Sequence, residues 1–104
     1  MLSAYPACFI KEDNGYSVIF PDLNYLATCG ETLDDAFAMA IDCLAGYLYS
    51  CKIDGDKTPA PSALNKINAV DILQELEIAS SEYFVNMVTV DVEEYAKKHF
   101  ENPV

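Results

Sequence analysis

The chain has 104 residues, enough for one compact domain and too few for two full ones. Hydrophobic residues make up 52%, with seven tyrosines and five phenylalanines, which excludes a disordered tail because burial of that surface offsets chain entropy. Seventeen acids stand against six lysines and no arginine, and the net charge of −11 argues against nucleic-acid binding and for encounter with a basic protein, although acidity also serves solubility alone.

Residues 3–11, "SAYPACFIK", read as a strand, and the Asn14-Gly15 pair in the "EDNG" that follows signals a hairpin because both residues tolerate positive φ. "YSVIF", residues 16–20, returns as the second strand, with Tyr16, Val18 and Phe20 on one face. Pro21 lacks an N–H and ends that ladder. Residues 24–30, "NYLATCG", predict a third strand that completes a meander.

Thr32 is the expected N-cap of a helix, with Asp34 and Asp35 in its first turn where the dipole favours carboxylates. Leu33, Ala36, Phe37, Ala40, Ile41, Leu44, Leu48 and Cys51 recur at spacings of three and four, a stripe that must cover a sheet. The helix should end near residues 52–54, before the turn-forming "DGDKTPAPSA". Residues 64–79 carry a weaker pattern, a short helix or irregular crossover; "YFVNMVTVDV", residues 83–92, is a strand. "VEEYAKKHF" closes as a helix with its acids leading and its lysines trailing. The order is β-β-β-α-β-α, an α+β class, with no internal repeat.

Cys8, Cys29, Cys43 and Cys51 form no C-x-x-C pair and follow no secretory signal, so reduced, buried thiols in a cytoplasmic protein are expected. No run approaches the apolar length of a membrane span. His99, the only histidine, lies beside two lysines at a helix end and has no marked nucleophile or metal partner. Tyr5, Tyr16, Tyr25, Tyr47 and Tyr49 suit a core and a protein interface better than a base-stacking platform, which would need Arg and Lys.

Three strands, a helix and a further strand also resemble part of a ribonuclease H-like fold, whose nucleases hold two metals with clustered carboxylates. Residues 4–10 include no acid, Glu12 and Asp13 fall at the hairpin tip, and Asp34 and Asp35 have capping work. Neither a metal nor a cofactor is expected. A metal-dependent nuclease acting through Asp22, Asp34 or Asp35 stands as the alternative enzyme reading.

"YPA" at 5–7, "GYSVIFPDL" at 15–23, T-x-G-x-T at 28–32, Ala36 and Ala40, "YL" at 47–48, Gly55 and P-x-P-S at 59–62 together resemble the HicB-like antitoxins. The motifs occupy residues 3–62, with a looser strand and helix over 63–104, as one domain. The resemblance implies a partial ribonuclease H-like fold: a three-stranded antiparallel meander plus a further strand, covered by one main helix. It implies a non-catalytic antitoxin that binds a small basic HicA-type mRNA-cleaving toxin and occludes its active site. Expected partner contacts are Glu12, Asp13, Tyr16, Asp22 and Tyr25. A homodimer or higher oligomer is expected because exposed strand edges tend to be paired. Two departures stand out. The family loop after "FPDL" usually continues Pro-Gly-Cys, whereas this chain has Asn24-Tyr25-Leu26, and no ribbon-helix-helix or helix-turn-helix segment fits before "ENPV", so no DNA contact by this chain is expected. An interaction domain without a toxin is the third reading.

Overall fold

Tyr5, Ala7 and Phe9 alternate with Pro6, Cys8 and Ile10, and all six are buried, so the first strand is covered on both faces. The computed structural model describes residues 2–101. They form β1 (Leu2–Glu12), β2 (Gly15–Phe20), β3 (Leu26–Gly30), α1 (Leu33–Asp54), α2 (Ala69–Glu75), β4 (Tyr83–Asp91) and α3 (Val92–His99). The strands make one sheet in the order β3-β2-β1-β4, every neighbour antiparallel. The α+β class and the strand-helix order follow the sequence expectation.

The hairpin lies one residue from its expected turn. Glu12 pairs with Gly15, so the loop residues are Asp13 and Asn14, and Gly15 opens β2 with φ 142°. This register keeps Val18 opposite Phe9 on the α1 side; a one-residue slip would turn that whole set to the other face.

Pro6 sits inside β1 without breaking a ladder. The Lys11 N–H donates to the Glu82 carbonyl at 2.8 Å, so odd residues of β1 bond toward β4 and even residues toward β2. Pairing with β2 stops at Cys8 and Ile19, so the N–H that Pro6 lacks had no strand to meet.

β3 is shorter than expected. Asn24 and Tyr25 both take φ 60°, a left-handed pair that turns the chain before pairing resumes at Leu26. Tyr25 is therefore in the turn.

On one face of the sheet, Tyr5, Phe9, Val18 and Phe20 pack beneath Ala36, Ala40, Leu44 and Leu48 of α1. Ala45 is equally buried, while the predicted stripe members Phe37, Ile41 and Cys51 are half-buried and Leu33 is exposed. Thr32 Oγ1 accepts from the Asp35 N–H at 3.1 Å, the expected cap, and Gly55 ends the helix at φ 73°. α1 is in fact long and apolar enough to cross a bilayer by length and composition. Its alanine-leucine stripe instead faces the sheet.

The other face corrects the expectation of a sheet covered by one helix. Ile72 and Leu73 of α2 close over Cys8, Ile10 and Ile19 in a second core. The Asn68 side chain caps α2 by accepting from the Asp71 N–H at 3.2 Å. The thiols also differ from expectation. Cys8 is buried and pushed up to about 11 by that burial, Cys43 and Cys51 are half-buried, and Cys29 is exposed because α2 leaves its end of the sheet open.

α3 docks on α1 through Tyr95, whose hydroxyl donates to Asp42 Oδ1 at 2.8 Å. Burial first, and this bond second, push the Tyr95 hydroxyl up to about 12.

Candidate partner-binding surface

The five expected contact residues divide between two ends of the sheet. Glu12 closes β1, Asp13 is in the loop beside it, and Tyr16 follows in β2. Asp22 and Tyr25 lie past the far end of β2, beyond the strand residues 16–20, which span roughly 13 Å. The structure thus brings Glu12, Asp13 and Tyr16 together and sets Asp22 and Tyr25 apart from them.

At the hairpin end the topology gathers acids that are distant in sequence. Tyr16 pairs with Gly30, which places Glu31 and the first turn of α1, with Asp34 and Asp35, beside the hairpin. The Lys11–Glu82 backbone bond draws in the start of β4, and Ser80 Oγ donates to the Lys11 carbonyl at 2.7 Å. Glu12, Asp13, Glu77 and Glu82 line one open groove. Lys11 is the base set among them, and its Nζ lies 5.0 Å from the centre of the Tyr16 ring. Glu12 Oε1 accepts from Ser17 Oγ at 3.0 Å, which orients one carboxylate of the group.

The opposite end differs in charge. Lys52 pairs with Glu93 at 3.5 Å and Lys97 approaches Glu94 at 4.0 Å. Acids at the α3 end therefore have basic neighbours, whereas the hairpin end presents a cluster of carboxylates with one lysine, a local field that attracts cations and basic surfaces.

Asp22 has a different use. Its Oδ2 accepts from the Ser62 backbone N–H at 2.6 Å and its Oδ1 from the Ser62 hydroxyl at 2.7 Å. The Tyr5 hydroxyl donates to the Pro59 carbonyl at 2.6 Å. Together these bonds tie the exposed 56–63 connection to the sheet, joining three of the quoted motifs, "YPA", "FPDL" and P-x-P-S, which lie far apart in sequence.

The carboxylates named for a metal-dependent nuclease do not meet. Asp22 lies before β3 and Asp34 and Asp35 after it, and among the described residues no three His, Cys, Asp or Glu side chains gather to hold a metal ion. His99 is exposed, with its ring 4.2 Å from that of Tyr95.

Sequence reasoning missed Glu31, Glu77 and Glu82 as members of the acidic group, and took Asp34 and Asp35 as capping residues or, in the alternative enzyme reading, as metal-binding carboxylates. No local pattern marks them; the β1–β4 and β2–β3 pairings bring them together.

Comparisons with known proteins agree with one another. A family model described as HicB_like antitoxin of bacterial toxin-antitoxin system matches residues 5–101. Antitoxin HicB 2 of Photorhabdus laumondii subsp. laumondii is 36% identical over 58 residues, which cover 56% of this chain and 42% of that protein, so the match spans less than half of the curated relative's length. A chain of a toxin-antitoxin complex from Streptococcus pneumoniae is 32% identical with a TM-score of 0.80, covering 100% of this chain and 78% of that one. A chain of a HicA3 and HicB3 toxin-antitoxin complex shares the fold at 21% identity and a TM-score of 0.66, over 86% of this chain and 99% of its own. The Burkholderia pseudomallei antitoxin HicB does so at 21% identity and 0.62, over 98% and 70%.

Proposed function

The chain belongs to the HicB-like antitoxin family of bacterial toxin-antitoxin systems, and from that premise we propose that it neutralises a small basic HicA-type mRNA-cleaving toxin by covering its active site, without catalysis. The observation that carries the proposal is the acidic hairpin end, where Glu12, Asp13, Glu77 and Glu82 line one groove with Lys11, and Glu31, Asp34 and Asp35 follow the end of β3 that pairs with Tyr16. Complementary charge speeds diffusional encounter and sets orientation. The relationship to a chain of a toxin-antitoxin complex supports the same partner class.

The reading extends to the rest of the chain. It takes residues 1–104 as one cytoplasmic domain, and it takes the meander followed by α1 as support for the partial ribonuclease H-like fold that the resemblance implies. It assigns no nucleic-acid contact to these residues, whose net charge of −11 opposes a phosphate backbone.

Paired charge reversals test the docking end. Glu12→Lys with Asp13→Lys should lower the association rate with a HicA-type toxin roughly tenfold at low salt and flatten its salt dependence. Asp54→Lys with Asp56→Lys changes net charge equally at the other end of α1 and should change the rate much less. Equal losses from both pairs, measured by stopped-flow or surface binding, would reject the hairpin end as the docking surface.

Tyr25 enters as a second contact on a different ground. It is 38% exposed and held at φ 60°, next to Asn24 at the same angle, a backbone that costs a residue bearing Cβ about 1–2 kcal/mol. Glycine relieves that strain, so Tyr25→Gly should stabilise the fold by about 0.5–1 kcal/mol in urea titration, after its own entropy cost. The same variant should weaken toxin binding. Greater stability with unchanged affinity would remove Tyr25 from the interface.

A further inference from the structure

The acidic groove at the hairpin end has an apolar neighbour. Val70, Leu73, Ile78 and Tyr83 line a second groove between α2 and the start of β4, and residues 77–80 line both grooves. Val70 and Tyr83 are 45% and 38% exposed, whereas Leu73 is buried in the second core and gives the groove a fixed base. Among the described residues that line it, Glu77 alone is charged, and Glu77 also lines the acidic groove. The backbone sets this residue in an unusual place. The Ile78 N–H donates to the Leu73 carbonyl at 2.9 Å and the Glu77 N–H to the Gln74 carbonyl at 3.2 Å, a helix end that puts Glu77 in the left-handed position ordinarily filled by glycine. Glu77 sits there at φ 55°, which strains a residue bearing Cβ and would not strain glycine. The cap is made by backbone groups and makes no use of the carboxylate. Strain kept where the fold does not need the side chain points to a use outside the fold.

We propose that the two grooves are one docking site for a basic partner: the apolar groove takes a bulky apolar side chain of that partner, and lysine or arginine side chains flanking it reach Glu12, Glu77 and Glu82. This rests on the reading that the acidic end meets a basic toxin, and it names what holds the toxin after encounter. Complementary charge acts mainly on the association rate. A desolvated apolar anchor inside a polar rim acts on dissociation. The shared wall at residues 77–80 sets the two kinds of contact side by side, so the segment that fits carries an apolar residue between basic ones. Charge selects such a partner over a second copy of this chain, because two copies joined here would bring two acidic grooves together at a net −11 each.

Binding kinetics with a HicA-type toxin test the site. Tyr83→Ser should raise the dissociation rate roughly tenfold and Val70→Ser roughly threefold, while the association rate and its salt dependence stay those of the parent. Glu77→Gly should weaken the complex roughly threefold and, in the chain alone, raise the urea midpoint, because glycine relieves the left-handed strain. A Glu77 with only a structural role would show the second change without the first. Unchanged dissociation from Tyr83→Ser and Val70→Ser, with association still slowed by Glu12→Lys and Asp13→Lys, removes the apolar groove and leaves the charge-steered toxin reading intact. A toxin that does not bind the parent chain overturns both. If the two serine variants change the sedimentation of the chain alone and leave toxin binding as it was, the groove is a contact between copies and the proposal falls. Should Tyr83→Ser unfold the chain, Val70→Ser and Glu77→Gly carry the test, since both lie outside the sheet.

Discussion

Gly30→Ala should destabilise the protein by about 3 kcal/mol or more, enough to unfold it at modest temperature. A Cβ on Gly30 would come 2.7 Å from the Ala36 Cα and 2.7 Å from the Asp35 carbonyl carbon, and would strike the Ala36 amide nitrogen as well. All of these are backbone atoms of the first turn of α1. No rotamer change relieves the collision, so β3 and α1 must separate, and the packing of Ala36 and Ala40 on the sheet is lost with them. The Gly30 carbonyl in turn leaves no room for a Cβ on Gly15, so the same crowding extends to the hairpin and the acidic end. Gly46→Ala is the matched control. Its Cβ would lie 3.9 Å from the Phe100 ring, an ordinary contact, and in a helix interior alanine gains about 0.5–1 kcal/mol over glycine. Chemical denaturation should move the two variants in opposite directions; a Gly30→Ala midpoint within error of the parent would show that the junction yields.

Asp22→Ala should cost about 2–3 kcal/mol, since bonds to an ionised acceptor contribute about 1.5–3 kcal/mol and the Ser62 N–H is left without its acceptor. For a domain of this size that is roughly a 10–15 °C fall in Tm. Ser62→Ala removes the hydroxyl bond and keeps the backbone one, so a loss of about 1 kcal/mol is expected. A double-mutant cycle should show strong coupling between the two positions. Additive losses would mean that Asp22 stabilises the fold by another route. The variant also separates scaffold from contact. If the hairpin end docks the toxin, Asp22→Ala should leave the association rate of the folded protein unchanged while lowering its stability.

The limits of the sequence reading have identifiable causes. The observed third strand is two residues shorter than its pattern predicts because Tyr25 gives no turn signal of the kind glycine gives, although Asn24 and Tyr25, both at φ 60°, turn the chain. The second core was missed because residues 64–79 place only Ile72 and Leu73 fully inside, too few to establish a helical period. A signal for it did exist. "ACFI" at 7–10 is an unbroken apolar run, which a strand open to water on one face does not carry.

At the candidate surface, Glu12, Asp13 and Tyr16 lie together because the hairpin is a local structure. Glu31, Glu77 and Glu82 join them only through strand pairing, and Asp22 is separated from them by the length of β2.

The sequence by itself determined the hairpin, the cap at Thr32, the long helix with its alanine stripe, the closing strand and helix, and the acidic balance that points to a basic partner. These follow from bonds within a few residues, from periodicity, or from simple counting. Only the tertiary structure decided that β4 lies outside β1, that α2 closes the second face, that Asp22 holds Ser62, and that the carboxylates gather at one end. Each of those depends on contacts between segments tens of residues apart, whose partners are chosen by packing and pairing geometry and leave no mark on the local pattern.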